Sequence, residues 1–242
     1  MTGSTSGIGE AIARVLAVSG AEVAVGGRDA DRAAAVVRSI TEAGGRAHAV
    51  IGDLGGSAAD VRRLASGAEA SLGGRVDILV NNAGIYPATA TADLSDADLD
   101  AVLATNVRAP HLLVAALAPA MAARGEGAIV NIGSWMSRVG LPFAAAYTAS
   151  KAALEQMTRT WSAEYGPSGV GVTTVAPGAT NTPGNAESAD VLAAMTAGTV
   201  AGRPVRPVDV AFAVRWLVSG EAAFVHGSII DVDGGIASSR LG

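Results

Sequence analysis

The pattern of apolar and polar positions divides the chain into alternating extended and helical segments. Short apolar runs predict buried strands, and longer segments with apolar residues at helical spacing predict helices. The predicted strands are 22–25, 47–51, 76–80, 128–132, 170–175 and 228–232. The predicted helices are 8–19, 29–43, 57–71, 95–123, 147–165 and 208–219. This alternation predicts an α/β fold with a parallel sheet and helices on both of its faces.

The amino-acid composition limits the classes of protein to which the chain can belong. Half of the 242 residues are apolar, so we expect a single domain over residues 1–242. The absence of cysteine excludes disulfides and cysteine-based metal sites and favours a reducing cytoplasm. The net charge of −5 and the scattered basic residues predict no binding to nucleic acid. We see no signal peptide, and the apolar run 109–123 is too short to cross a membrane.

The candidate chemistry centres on Tyr147 and Lys151. Residues four apart lie on one face of a helix, so the phenol and the ammonium can point into the same site. We expect the cation to lower the pKa of the tyrosine and so to suit it to proton transfer. Ser134 follows the apolar strand 128–132, at the strand end where α/β sheets bind ligands. The alternative is an exposed lysine beside a half-buried tyrosine.

Three further motifs accompany this pair: TGSTSGIG at 2–9, NNAG at 81–84, and Pro177-Gly178 after an apolar strand. With them, the sequence resembles the compact, single-domain short-chain dehydrogenases/reductases over essentially all of its length. The resemblance implies a Rossmann-type, doubly wound parallel sheet. It also implies hydride transfer between NAD(P) and a small-molecule substrate, interconverting a secondary alcohol and a ketone, without a metal.

The glycine-rich loop would hold the cofactor. Glycines let the backbone approach a pyrophosphate, and the following helix offers its unpaired amides and its positive end. The resemblance assigns cofactor contacts to Gly3, Ser4, Thr5, Ser6, Gly7, Ile8, Arg28, Asp53, Leu54, Asn82, Ala83, Gly84, Tyr147, Lys151, Pro177, Gly178 and Thr182. For Asp53 the competing interpretation is a turn-forming aspartate.

The segment after the second predicted strand bears on the choice of cofactor. Relatives that use NAD usually carry an acidic residue where this chain has Gly27, and Arg28 is free to meet a 2′-phosphate. We therefore predict NADP as cofactor, with NAD as the alternative. The other interpretation makes Arg28 a solvated loop residue, and Asp29 is more simply a helix N-cap than a ribose ligand.

The resemblance also implies the catalytic roles. Ser134 would hydrogen-bond the substrate oxygen, Tyr147 would be the general acid or base, and Lys151 would tune Tyr147 and hold the nicotinamide ribose. Asn106 matches the asparagine that interrupts a helix in relatives and holds a water in a proton relay. The alternative interpretation is that Asn106 is a surface asparagine in the middle of a helix. Asn81 and Asn82 would order the sheet and contact the cofactor ribose.

The resemblance implies a mobile substrate lid at about 183–203, with Gly184, Gly198 and Gly202 as hinges. Its apolar residues suggest a mainly apolar pocket rather than one built for phosphates, and Met195 is expected to pack rather than to touch substrate. By analogy, the apolar run 109–123 and the ending 230–235 predict a homotetramer or homodimer.

The chain departs from the family at its start, where only Met1 precedes the glycine-rich loop instead of a central strand. Losing that strand would cost ladder hydrogen bonds and buried side chains. We hypothesise that the natural chain extends upstream of Met1. One alternative function is a catalytically silent or weakened nucleotide-binding protein, which the missing strand favours and the intact Ser134, Tyr147 and Lys151 oppose. The other is an isomerase or dehydratase that uses the same tyrosine.

Overall fold

Helices and strands alternate along the chain in the computed structural model, which describes residues 1–239. The strands are β1 (Glu22–Gly27), β2 (Arg46–Ile51), β3 (Ile78–Asn81), β4 (Gly127–Ile132), β5 (Val170–Pro177) and β6 (Ile229–Val232). The helices are α1 (Gly7–Val18), α2 (Ala30–Glu42), α3 (Ala58–Ser71), α4 (Asp96–Leu103), α5 (Ala109–Arg124), α6 (Ala145–Tyr165), α7 (Ala189–Ala197) and α8 (Pro207–Leu217). The six predicted strands and six predicted helical segments are confirmed, and α7 is an addition inside the expected lid.

Local side-chain bonds determine where several helices begin. The Asp29 carboxylate accepts a 3.0 Å hydrogen bond from the Arg32 amide at the start of α2, which confirms Asp29 as an N-cap. Ser57 and Asp60 form a reciprocal capping box at the start of α3. Because these bonds satisfy amides that have no partner within the helix, they explain why polar residues stand directly before the apolar helical patterns.

The strands form two parallel sheets, one of β1 and β2 and one in the order β3-β4-β5-β6. One face is covered by α1, α2 and α8, whose buried side chains include Ile12, Val36 and Val214. The other face is covered by α3, α5 and α6, which contribute Leu64, Leu117 and Leu154 to a second apolar core. Helices on both faces of parallel strands confirm the α/β fold predicted from the alternation and the doubly wound sheet that the resemblance implied.

Met1 and Thr2 are the only described residues between the facing edges of β1 and β3. The amino group of Met1 donates to the Ala24 carbonyl at 2.9 Å, and the Gly26 amide donates to the Met1 carbonyl at 3.1 Å. On the other side, the Thr2 amide donates to the Val80 carbonyl at 3.0 Å. These two residues therefore occupy the place of a central strand, and they do so over its last two positions.

Beneath Met1 the same gap continues as a cavity of about 470 Å³, which we call the strand slot. Its apolar walls include Leu16, Val23, Leu64, Leu113 and Leu117 from both core layers. The strand slot thus lies between β1 and β3, directly before the glycine-rich loop.

The most apolar helical segment has the length that the predicted helix 95–123 gave it. The apolar run 109–123 continues a helical run from Asp96 to Arg124 of 29 residues, long and apolar enough to cross a membrane by length and composition alone. The expectation that it is too short is therefore wrong. However, 56% of its most apolar window is buried inside the protein, where Leu113, Leu117 and Met121 pack in the core beside α3. Its apolar character is accounted for by this packing.

Candidate active site

A cleft of about 390 Å³ lies at the carboxyl ends of β1, β2 and β3. It lies where the chain order of neighbouring strands reverses, since β2 flanks β1 on one side and β3 lies across the strand slot on the other. Such switch points are the usual ligand sites of open α/β sheets. The predicted cofactor residues that line the cleft are Gly3, Thr5, Ser6, Gly7, Ile8, Arg28, Asp53, Leu54, Asn82, Ala83, Gly84 and Thr182.

The glycine-rich loop brings backbone close to the cleft. Gly3 and Gly7 have φ of 59° and 55°, a region that side chains other than glycine rarely adopt. A side-chain carbon at Gly3 would lie 2.8 Å from the Ala83 Cα, so any other residue there would clash with backbone. Ser6, the N-cap of α1, makes no side-chain capping bond. The first amides of α1 are therefore available to an anion.

Five predicted cofactor residues do not line this cleft, namely Tyr147 and Lys151, which are described below, and Ser4, Pro177 and Gly178. The Ser4 side chain is fully buried, and its hydroxyl accepts a 2.9 Å hydrogen bond from the Gly26 amide, so it holds the loop against β1. Pro177 ends β5, and a side chain at Gly178 would lie 2.7 Å from the Asp233 Cα. In the structure Ser4, Pro177 and Gly178 shape the frame around the cleft.

Two arginines line the cleft. Arg28 does so as expected, and Arg32, the third residue of α2, does so as well. Sequence reasoning missed Arg32. Arg32 also forms an ion pair with Asp29 at 3.4 Å. Asp53 combines both of its interpretations, because it lines the cleft and its carboxylate accepts the Gly55 amide at 3.0 Å in a turn.

The paired asparagines after β3 join the sheet to the glycine-rich loop. The Asn81 side chain donates to the Asn131 side chain on β4 at 2.8 Å, which in turn donates to Thr158 on α6 at 2.8 Å. The Asn82 side chain donates to the carbonyls of Thr2 and Gly3 at 3.0 and 2.9 Å. These bonds agree with the expectation that both asparagines order the sheet.

Asn106 lies in a π-helical turn, Ala104–Arg108, that separates α4 from α5. The extra residue of such a turn breaks the regular hydrogen-bond ladder, as expected for an asparagine that interrupts a helix. Asn106 is fully buried, so the alternative of a surface asparagine is wrong. Its side chain accepts from the Ile85 amide at 2.9 Å and donates to the Ile85 carbonyl and the Ser150 hydroxyl, both at 3.0 Å. Both amide protons are therefore engaged, and Asn106 anchors the loop after NNAG to α6.

Tyr147, Ser134 and Lys151 meet beside this loop. Ser134 is buried at the end of β4, where its hydroxyl accepts a 3.2 Å hydrogen bond from the Met136 amide and neighbours the Tyr147 phenol. The ring of Tyr147 meets the edge of the Tyr86 ring, with centroids 4.7 Å apart and planes at 70°. Ala144 immediately precedes α6 in the left-handed region at φ 60°, and its amide donates to the Thr89 carbonyl at 2.8 Å. This contact fixes the first turn of α6, which carries Tyr147.

Lys151 is buried and its ammonium is held by backbone. Its Nζ donates to the Ile132 carbonyl at 2.7 Å and lies 5.8 Å from the centroid of the Tyr147 ring. Burial lowers the pKa of Lys151 to about 8, an effect that the charge of Glu155 opposes. Burial also raises the pKa of Tyr147, although the neighbouring Ser134 hydroxyl acts in the opposite direction. The expectation that Lys151 lowers the pKa of Tyr147 is thus wrong for this structure, because desolvation of the phenol dominates.

Replacing Lys151 with methionine is expected to stabilise the fold at neutral pH. The folded-state pKa of about 8 lies below the ordinary value of 10.5, so burying the cation costs stability at pH 7. That cost is complete below pH 8 and disappears as the pH rises towards 10.5. After allowing for the lost bond to Ile132, we expect a gain of about 2 kcal/mol at pH 7.

Urea unfolding of wild type and Lys151→Met at pH 7 and pH 10 measures this effect. Arg159→Met provides the control, because it removes an exposed cation from the same helix and should change stability little. A Lys151→Met protein less stable than wild type at pH 7 would contradict the prediction.

The structure combines a parallel α/β sheet, a glycine-rich loop before a helix, and a Tyr–Lys pair at the strand ends. Together these features define a class of nucleotide-dependent enzymes. The chain belongs to the short-chain dehydrogenases, since the sequence profile of that family matches residues 1–192. It is therefore an oxidoreductase that acts on CH–OH or C=O groups with a nicotinamide cofactor.

Similar proteins cover nearly the whole chain. The cis-4-hydroxycyclohexanecarboxylate dehydrogenase of Sinomonas cyclohexanicum is 40% identical, with 97% of this chain and 94% of that protein aligned. The cyclopentanol dehydrogenase of a Comamonas species is 34% identical, with 99% and 96% aligned. A gluconate 5-dehydrogenase structure from Burkholderia cenocepacia, in complex with NADP and tartrate, superimposes with a TM-score of 0.90 at 33% identity, covering 97% and 92% of the two chains.

Proposed function

We propose that the protein is an NADP-preferring dehydrogenase/reductase that interconverts a secondary alcohol and a ketone, with Tyr147 as general acid and base. One observation carries the proposal. The cleft is lined by Arg28 and Arg32, by the open start of α1 and by Gly84, where an added side-chain carbon would lie 3.3 Å from the Lys151 ammonium. NADP requires both kinds of group, a cation for its 2′-phosphate and a proton-transfer group beside its nicotinamide.

The residues of the cleft suit a nicotinamide dinucleotide. Gly3 and Gly7 leave two positions of the loop without a side chain, and the uncapped amides of α1 can receive the pyrophosphate. Asn82, Ala83 and Gly84 line the adjoining part of the cleft. We assign to the bound cofactor the donation or acceptance of a hydride at the carbon atom of the substrate.

The remaining step is a proton transfer on oxygen. In reduction the Tyr147 phenol gives its proton to the carbonyl oxygen, and in oxidation the phenolate removes the proton of the alcohol. Ser134 stabilises the charge that develops on that oxygen, because its hydroxyl lies beside the phenol. Lys151 supplies the positive charge of the site, and it is the only lysine in the chain.

Net consumption of cofactor tests this assignment against its rivals. Oxidation of a secondary alcohol with stoichiometric formation of NADPH supports a dehydrogenase. Cofactor binding without turnover would indicate a silent nucleotide-binding protein, and turnover without net cofactor change would indicate an isomerase or dehydratase.

Replacing Arg28 with alanine is expected to weaken NADPH binding by roughly 10- to 100-fold and to leave NADH binding unchanged, because a charged hydrogen bond to phosphate contributes about 1.5–3 kcal/mol. Arg28 lines the cleft and follows Gly27, where no acidic side chain competes for the ribose. Fluorescence titration with both cofactors measures the change.

Arg38→Ala is the control, since Arg38 is an exposed arginine of α2 that does not line the cleft. Equal losses for NADPH and NADH in Arg28→Ala would contradict the 2′-phosphate role. The double variant Arg28→Ala/Arg32→Ala then separates the shares of the two arginines.

We also propose that the enzyme acts in the cytoplasm as a homotetramer or homodimer, with residues 183–203 as a substrate lid. The absence of cysteine supports the compartment. The short helical turn Pro183–Ser188 and α7 form the lid segment. Size-exclusion chromatography with light scattering tests the oligomeric state.

A further inference from the structure

Apolar side chains from three distant segments meet at Tyr147. Tyr147 packs against a cluster, here called the Tyr147 cluster, that is drawn from the loop after β4, from the segment after β5 with α7, and from the residues after β6. Its buried members are Trp135, Met136, Ala144, Ala179 and Ile236, and its half-buried members are Val139, Leu141, Phe143, Leu192, Met195 and Ala237. The edge-on contact of Tyr86 extends the same surface across the phenol ring.

The cations near this cluster, within residues 1–239, all have partners. Arg138 forms an ion pair with Asp231 and lies 3.9 Å from Glu155. Arg203 lies 3.5 Å from Asp209 and donates to the Pro204 carbonyl at 3.1 Å. Lys151 donates to the Ile132 carbonyl. A substrate carboxylate or phosphate placed against the cluster would therefore lose its water and would have to compete with Asp231 and Asp209 for the two arginines.

From these contacts we infer that the substrate is an uncharged, apolar secondary alcohol or the matching ketone, held by its hydrocarbon part against the Tyr147 cluster. This inference rests on the proposed dehydrogenase function and specifies its substrate class. Each methylene buried against the cluster should raise kcat/KM about fourfold, the equivalent of about 0.8 kcal/mol. A sugar acid or a phosphorylated alcohol should be a poor substrate even though its hydroxyl could reach Tyr147.

A matched pair of alcohols isolates the effect of charge. Cyclohexanol and cis-4-hydroxycyclohexanecarboxylate present a secondary alcohol on the same ring, and only the second carries a carboxylate, which is ionised at pH 7. With NADP+ as oxidant, we expect kcat/KM for cyclohexanol to exceed that for the hydroxy acid by roughly 100-fold, because the carboxylate must be desolvated against apolar side chains. Equal or greater kcat/KM for the hydroxy acid would overturn the inference and leave the dehydrogenase assignment standing.

Met195→Arg tests the same contact from the protein side. Met195 lies half-buried on α7 and packs on the Tyr147 cluster, so an arginine there should raise kcat/KM for the hydroxy acid about tenfold or more and lower that for cyclohexanol. Val191→Arg is the control, since Val191 lies on the same helix with 59% of its surface exposed and lies outside the cluster. Unchanged selectivity in a folded, NADPH-binding Met195→Arg protein would count against the inference.

The wild-type comparison does not depend on whether that variant folds. Oxidation of neither alcohol by a protein that binds NADPH would overturn the proposed function itself, and the substrate class would fall with it. A preference for the hydroxy acid refutes the substrate class alone, so the two failures are distinguishable.

Discussion

Replacing Tyr147 with phenylalanine is expected to lower kcat by about a thousandfold while leaving NADPH affinity nearly unchanged. General acid–base catalysis by a positioned side chain typically contributes 10²- to 10⁴-fold, and the phenol oxygen is the only atom that this substitution removes. The ring that packs against Tyr86 and the Tyr147 cluster is retained. Steady-state kinetics of alcohol oxidation and a parallel NADPH titration give the two quantities.

Tyr165→Phe is the matched control, because it makes the same change at the last residue of the same helix, away from the cleft. It should leave both kcat and cofactor affinity unchanged. A Tyr147→Phe enzyme with near-normal kcat would show that another group transfers the proton. A large loss of NADPH affinity would instead assign the phenol to cofactor binding.

The raised pKa of Tyr147 bears on how this proton moves. Burial keeps the phenol neutral through neutral pH in the structure, so the side chain is in the form that donates a proton to a ketone. The sequence predicted the opposite shift from the spacing of Tyr147 and Lys151 alone. Spacing reports which groups share a helix face, whereas the pKa also depends on desolvation and on what else binds the ammonium. Here the Ile132 carbonyl binds it, and that partner lies on β4 rather than on α6.

The elements of the fold could be predicted because each strand carries an apolar run and each helix an apolar stripe. The elements of the site could be predicted where glycine spacing or an Asx cap imposes local geometry, as at Gly3, Gly7 and Asp29. Contacts between distant segments could not be obtained in this way. The approach of Tyr86 to Tyr147 joins the loop after β3 to α6, and no periodic pattern in either segment encodes that meeting.

The apolar run 109–123 was assessed for membrane crossing apart from the rest of its helix, although the predicted helix 95–123 already contained both parts. The π-helical turn around Asn106 keeps α4 and α5 in that one helical run. The sequence did foresee that Asn106 interrupts a helix, but it could not show that its amide protons bind Ile85 and Ser150. Both amide protons of Asn106 are bonded to protein atoms, so this side chain positions the loop and the helix around it. That role differs from binding a water through its own amide group.

Filling the strand slot is the second change from which we expect a large effect, in this case on the stability of the fold. Alternate residues of a strand direct their backbone groups to opposite sides, and Met1 already bonds Ala24 and Gly26 on β1 while Thr2 bonds Val80 on β3. By the same alternation, the amides of Ala24 and Val80 face the slot, as do the carbonyls of Glu22 and Ile78. Burial in this setting also lowers the pKa of the Met1 amino group to about 6.

Joining a four-residue apolar segment such as Val-Ala-Ile-Val ahead of Met1 is expected to raise the free energy of unfolding by about 4 kcal/mol. Four ladder hydrogen bonds at about 1 kcal/mol each and the burial of the two Val and one Ile side chains at about 2 kcal/mol each outweigh an ordering cost of about 1.5 kcal/mol for each of the four residues. For a domain of this size that gain corresponds to a rise in Tm of roughly 10 °C.

Thermal and urea unfolding of the extended chain measure the gain, and a Gly-Ser-Gly-Ser extension of equal length is the control. Both extensions convert the buried Met1 amine into an amide, so any difference between them reports the filling of the slot by apolar side chains and a paired backbone. Equal stability of the two extended proteins would show that the slot accepts no strand. Higher stability of the apolar version, together with tighter NADPH binding, would show that the gap between β1 and β3 also loosens the glycine-rich loop that follows Thr2.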